Sequence, residues 1–181
     1  MNDGDRTKIE KLAVKFGADE CRWTSGSSIQ VGQWVRFKCM FGCETYGKKG
    51  GCPPAVPSVP ECRALFSEYE QILVMRLSTK LDDPKDRAAW CHKKNAKLLK
   101  LEREVFLAGY HKAFLLKMDE CRMCKDCAAT RVDCKKPKLA RPSPEALAVD
   151  VFGTVRSLGF PIEVLSKYDQ TMNRYSFLLV E

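Results

Sequence analysis

The sequence predicts an α/β fold. The expectation is one domain over residues 1–181: a mixed β-sheet with parallel β-α-β units, helices packed on it, and two cysteine-rich metal-binding loops at one edge. Three observations predict it. Segments of helical periodicity ending in glycine alternate with short apolar runs, as strands alternate with helices in such folds. Gln71 to Leu77 (QILVMRL) has a continuous apolar centre, the mark of a strand buried on both sides. The two cysteine blocks, 39–57 and 121–143, each follow a segment that reads as extended, and no linker divides the chain.

Thr7 to Phe16 reads as a helix, with Ile9, Leu12, Ala13 and Phe16 on one face and Gly17 as its stop. Glu20 to Thr24 forms a short strand closed by the Ser25–Ser28 turn. Ile29 to Lys38 is rich in β-branched and aromatic residues and reads as extended chain leading to Cys39. The glycines and prolines of Cys39 to Pro57 predict an irregular loop. Ser58 then caps a helix with Pro60 in the first turn and Glu61 at the capping-box position. Asp83-Pro84 opens a long helix to Ala108, and Lys112 to Met118 is a strand leading to the second cysteine loop. Ser143-Pro144-Glu145 opens a helix to Leu158, and Pro161 to Leu165 and Arg174 to Val180 are the last strands. The order strand, cysteine loop, Ser-capped helix, strand therefore occurs twice, and PSVPE at Pro57–Glu61 echoes PSPE at Pro142–Glu145. Parallel feeding strands would set both loops at the carboxyl edge of the sheet, where open α/β sheets hold ligands.

The polar start MNDGDRTKIEK carries no apolar signal region, and no apolar run approaches the roughly 20 residues of a membrane span, so a cytoplasmic location is expected. In that reducing setting, ten clustered cysteines point to metal rather than disulfides. The formal charge of +8 counts every thiol as neutral. Eight ligating thiolates and two [4Fe-4S] cores would lower it to about +4. The lysines and arginines among the cysteines then offset thiolate charge and favour the ligating form. Residual positive charge suits an acidic electron-transfer partner of ferredoxin or flavodoxin type. Nucleic-acid binding ranks last, because no clustered aromatics form a stacking platform.

Cys121, Cys124 and Cys127 stand at C-x2-C-x2-C spacing, with Cys134 and Pro137 following. The run resembles the bacterial ferredoxin pattern, with a longer gap before the last cysteine. Zinc more often uses two separated C-x2-C pairs. Cys39, Cys43 and Cys52 form a second set in CMFGCETYGKKGGCPP. Its fourth ligand is open. Cys62 is nearest in sequence, yet it falls on the apolar face of its helix, where a cysteine behaves as a small hydrophobe. If Cys62 is core, three thiolates leave one open coordination position. Cys21 and Cys91 read as packing residues, although Cys21 could join through folding. His92 and His111 lack ligand spacing. Tyr46 and Arg141 read either as contacts to a substrate or cluster, or as a packed ring and a structural salt bridge.

The combination VRFKC, C-x2-YG-x4-CPP, and C-x2-C-x2-C-x6-C followed by K-x-ARPS-x-EA resembles a cysteine-rich family of unknown function described as predicted metal-binding proteins. The likeness runs from about Trp34 to Phe160. It implies that Cys39, Cys43, Cys52, Cys121, Cys124, Cys127 and Cys134 are the motif cysteines, and it leaves Cys62 outside them. The resulting expectation is an iron–sulfur protein with two [4Fe-4S] clusters. It would act in electron transfer, or in a reductive or desulfurising step on a small substrate at the three-cysteine cluster. The alternative is a non-enzymatic interaction module built on structural zinc.

Overall fold

The computed structural model describes residues 1–181 apart from Asp82, Pro84 and Tyr168. Four strands form one sheet in the order β1-β2-β4-β3: β1 (Glu20–Thr24), β2 (Ile72–Thr79), β3 (Phe114–Leu116) and β4 (Met172–Leu179). Every neighbouring pair is antiparallel, which corrects the expected parallel β-α-β units. The apolar centre of β2 signalled burial on two faces and was silent on strand direction. Ile72 and Val74 face one core with Phe66 of α3 (Val59–Ser67) and Val155 of α5 (Val151–Ser157). Leu73, Met75 and Leu77 face the other, with Ile9 and Ala13 of α1 (Asp3–Lys15) and Leu98, Leu101 and Val105 of α4 (Asp86–Leu107). Burying each of these α4 side chains contributes about 1.5–3 kcal/mol relative to exposure.

The predicted helix start at Asp83-Pro84 includes Pro84, which lies outside the described residues. α4 also covers the outer edge of β3, whose backbone would otherwise be buried without partners. The Leu115 N–H donates to Glu102 Oε1 at 2.8 Å. Asn95 exchanges two hydrogen bonds with the Met118 backbone, at 2.8 and 3.1 Å.

Four further expectations are corrected. The expected extended segment Ile29–Lys38 instead runs into a helix, α2 (Gln33–Gly42). Val35 and Cys39 stand at helical spacing on its inner side, where Val35 packs with Val59 and Ala148. Trp34, Phe37, Met40 and Phe41 are exposed, so apolar residues occur all round and hide the period. The helix expected from Ser143 to Leu158 is a short 3-10 turn at Glu145–Leu147, with Ala148 in left-handed backbone (φ 61°), followed by α5. Pro161–Leu165 contains no strand. With a helix feeding the first cysteine loop and a strand feeding the second, the apparent repeat is sequence echo and not structural repetition. The capping box at Ser58–Glu61 is present as expected.

Candidate metal centre

The first cysteine set is built by α2 and the turn that follows it. Cys39 lies in the last turn of α2, and Cys43 is its C-cap. The Gly47 N–H donates to Pro53 O at 2.9 Å, closing the loop and returning Cys52 toward the helix. Arg36 holds this arrangement together: its Nη2 donates at 3.0 Å to Pro57 O, beyond the loop, and at 3.0 Å to Ala146 O, in the 3-10 turn. Cys39, Cys43 and Cys52 consequently line one cavity of about 200 Å3, together with Tyr46, Glu120 and Glu145.

The three thiols influence one another. Thr45 Oγ1 lies 3.2 Å from Cys43 Sγ and 4.0 Å from Cys52 Sγ. Burial pushes the Cys52 thiol up to about 11; the Thr45 hydroxyl opposes this, while negative charge at Cys43, Glu120 and Cys39 adds to it. Burial, then Cys43 and Glu145, raise Cys39 in the same sense. A cation entering the cavity would reverse these electrostatics by favouring thiolates.

The second set hangs from the end of β3. The neck of its loop closes where the Lys117 N–H donates to Pro142 O at 2.9 Å, and where Arg141 pairs with Glu102 at 2.8 Å. Arg141 is therefore the structural ion pair of its two predicted roles. Lys117 is fully buried, and its Nζ donates to Cys121 Sγ at 3.7 Å and to Leu139 O at 3.2 Å. Burial lowers its pKa, against the pull of Cys121. A buried ammonium needs an anionic partner, and Cys121 would supply one if it ligates a metal. Cys121, Cys124, Cys127 and Cys134 are each half-buried.

Two glycines join the loops. The Gly50 N–H donates to Cys127 Sγ at 3.4 Å and is the largest influence holding that thiol below its ordinary value. A Cβ on Gly50 would lie 2.5 Å from Thr130 O, so only glycine permits this approach. The space beside Gly51 is bounded by Cys121 Cβ, 3.4 Å from where a side chain would begin. The two loops touch, although a helix and not a parallel strand feeds the first. They meet beyond the ends of β2 and β3, where β4 begins.

Charged side chains line the rim. Asp119, in left-handed backbone (φ 57°), accepts from Arg87 at 2.8 and 3.1 Å, pairs with Arg174 at 3.7 Å, and accepts the Cys91 thiol at 3.2 Å. Burial works against its ionisation, and the two guanidiniums overcome that to hold its pKa below the ordinary value. A second cavity, of about 290 Å3, shares Cys39, Cys43, Asp119 and Glu145 with the first and adds Lys38 and Arg174. Sequence reasoning missed Lys117, Asp119 and Arg174, because charged residues at strand ends read as solvated. Glu145 was read only as the start of a helix.

Cys62 is core: it is fully buried beside Phe66, and its thiol faces Pro57 O at 3.6 Å. Cys21 pairs with Met75 across β1 and β2 and packs against the α1–α4 core, and Cys91 is buried in α4. All ten cysteines are free thiols. His92 and His111 are exposed. Among the described residues, no three His, Cys, Asp or Glu side chains stand close enough to hold a single metal ion. The thiolates of a four-iron core each bind a different iron, so they converge less tightly than the ligands of one ion. The sulfur donors fit soft metal chemistry, iron–sulfur or zinc, and the hydroxyl and carboxylates among them are harder ligands. No helix is long and apolar enough to cross a membrane among the described residues.

A family described as predicted metal-binding protein (DUF2284) matches residues 22–180. Comparison with curated proteins and with solved structures finds no match.

Proposed function

This chain belongs to the predicted metal-binding protein family DUF2284, and from that premise we propose that it is an iron–sulfur protein holding two [4Fe-4S] clusters. Cys121, Cys124, Cys127 and Cys134 would ligate one, and Cys39, Cys43 and Cys52 the other. When bound, the clusters supply one-electron transfer and, at an iron without a cysteine ligand, a Lewis acid for a reductive or desulfurising step. The observation that carries this reading is the Gly50–Cys127 hydrogen bond, which brings loops separated in the chain by α3, β2, α4 and β3 into direct contact. Electrons could then pass between neighbouring centres without a large motion.

The chain's own residues do the rest. Lys117 offsets thiolate charge at the second set, and Lys38 and Arg174 present positive charge to a small molecule entering beside Cys39 and Cys43. The proposed partner is an acidic electron-transfer protein of ferredoxin or flavodoxin type. The formal charge of +8 and the acid-free helix α2, with Arg36 and Lys38, favour its approach.

Anaerobic stopped-flow mixing with a reduced acidic ferredoxin tests the proposal. Bleaching of a broad band near ~400 nm, at a rate that falls as salt is added, is expected. A colourless protein that binds zinc and accepts no electrons contradicts it.

A further inference from the structure

The three-cysteine set leaves one coordination position without a cysteine, and Cys62 is turned into the core and cannot fill it. Three carboxylates line the cavity beside these thiols: Asp119, Glu120 and Glu145. Asp119 is occupied by Arg87 and Arg174. Glu120 is paired with Arg122. Glu145 makes no ion pair among the described residues and lines the cavity beside the Cys39, Cys43 and Cys52 thiols. A half-buried carboxylate that makes no ion pair is free to ligate a cation entering the cavity.

Its placement is also built. Glu145 opens the 3-10 turn packed on α2, and Arg36 ties that turn to the helix carrying Cys39 through Ala146 O at 3.0 Å. The Ser143 hydroxyl accepts from the Ala146 N–H at 3.2 Å and fixes the turn from within. Glu145 borders both cavities, as Cys39 and Cys43 do, so a small molecule in the larger space would meet it beside these thiols.

We propose that the Glu145 carboxylate is the fourth protein ligand of the first metal centre. This rests on the metal-centre reading above and refines it. Carboxylate oxygen is a harder ligand than thiolate and suits soft metal sites less well. It would hold the centre closed at rest and give way to a substrate arriving from the 290 Å3 cavity.

The test uses the full-length protein reconstituted anaerobically with iron and sulfide, as wild type, Glu145→Gln, Glu145→Cys and Cys62→Ala. Iron per chain, electron paramagnetic resonance, and the rate of iron loss to a chelator are read. Glu145→Gln should release iron from the first centre on the order of tenfold faster, with the signal of the second centre unchanged. Glu145→Cys should slow release and shift the signal of the first centre, and Cys62→Ala should match wild type. Unchanged release and signal in Glu145→Gln, or loss of the first centre in Cys62→Ala, would overturn the assignment. If wild type takes up no iron and sulfide, the cluster reading fails separately. Zinc competition against a chelator then reads the same variants: weaker zinc binding in Glu145→Gln upholds the ligand and unchanged binding overturns it.

Discussion

The Gly50 backbone N–H donates to Cys127 Sγ at 3.4 Å, linking two cysteine loops that lie 77 residues apart in the chain. The contact demands a residue without a side chain, since Thr130 O occupies the place of a Cβ at 2.5 Å. Gly50→Ala is therefore expected to separate the loops and to cost about 1–3 kcal/mol, the range for overpacking a tight site. Urea denaturation would show the loss as a lower midpoint. An unchanged midpoint would mean that the loops do not support each other.

Cys62 fills core space beside Phe66 and Val155. Cys62→Ala should cost about 1 kcal/mol through the small cavity it leaves, with no change in metal per chain. A stability loss accompanied by metal loss would place this thiol at the centre instead.

Lys117 donates to Cys121 Sγ from a fully buried position. Lys117→Met keeps the aliphatic length and removes the charge. The reduction potential of the second centre should become more negative, because net charge near a cluster sets its potential. An anaerobic redox titration would show this, and an unmoved potential would separate Lys117 from the centre.

Alkaline pH should destabilise the fold through groups remote from the candidate ligands. Burial raises Cys21 from 9.0 to about 12 and Tyr175 from 10.0 to about 12. Both are neutral when protonated, so the unfolded chain loses their protons first. Their contribution is fully present below pH 9 and is lost as pH rises toward 12. Urea midpoints measured from pH 8 to 11 should fall, and Cys21→Val should flatten that decline. Equal slopes in both proteins would show that Cys21 is solvated.

The grouping of Cys39, Cys43 and Cys52 at one cavity was legible because cysteine spacing is local: C-x2-C-x2-C and the CPP loop need no knowledge of the fold. Cys62 was legible too, since its helical face marked it as core. Helix α2 was hidden because Trp34, Phe37 and Phe41 occupy its exposed side, so no polar face reveals the period. The strand directions were hidden because two-sided burial produces the same apolar run in either orientation. Asp119 and Glu145 were hidden for a different reason. Their proximity to Cys39 and Cys52 is created by the Arg36 tie and the Pro142 neck, contacts between residues far apart in sequence.

Iron and acid-labile sulfide per chain, counted on anaerobically prepared wild type, Cys52→Ser and Cys127→Ser, test the central claim most directly. The expected result is about eight irons and eight sulfides in wild type and about four of each in either variant, as two four-iron groups require. Zinc in place of iron, iron without sulfide, or wild-type counts in both variants would contradict it.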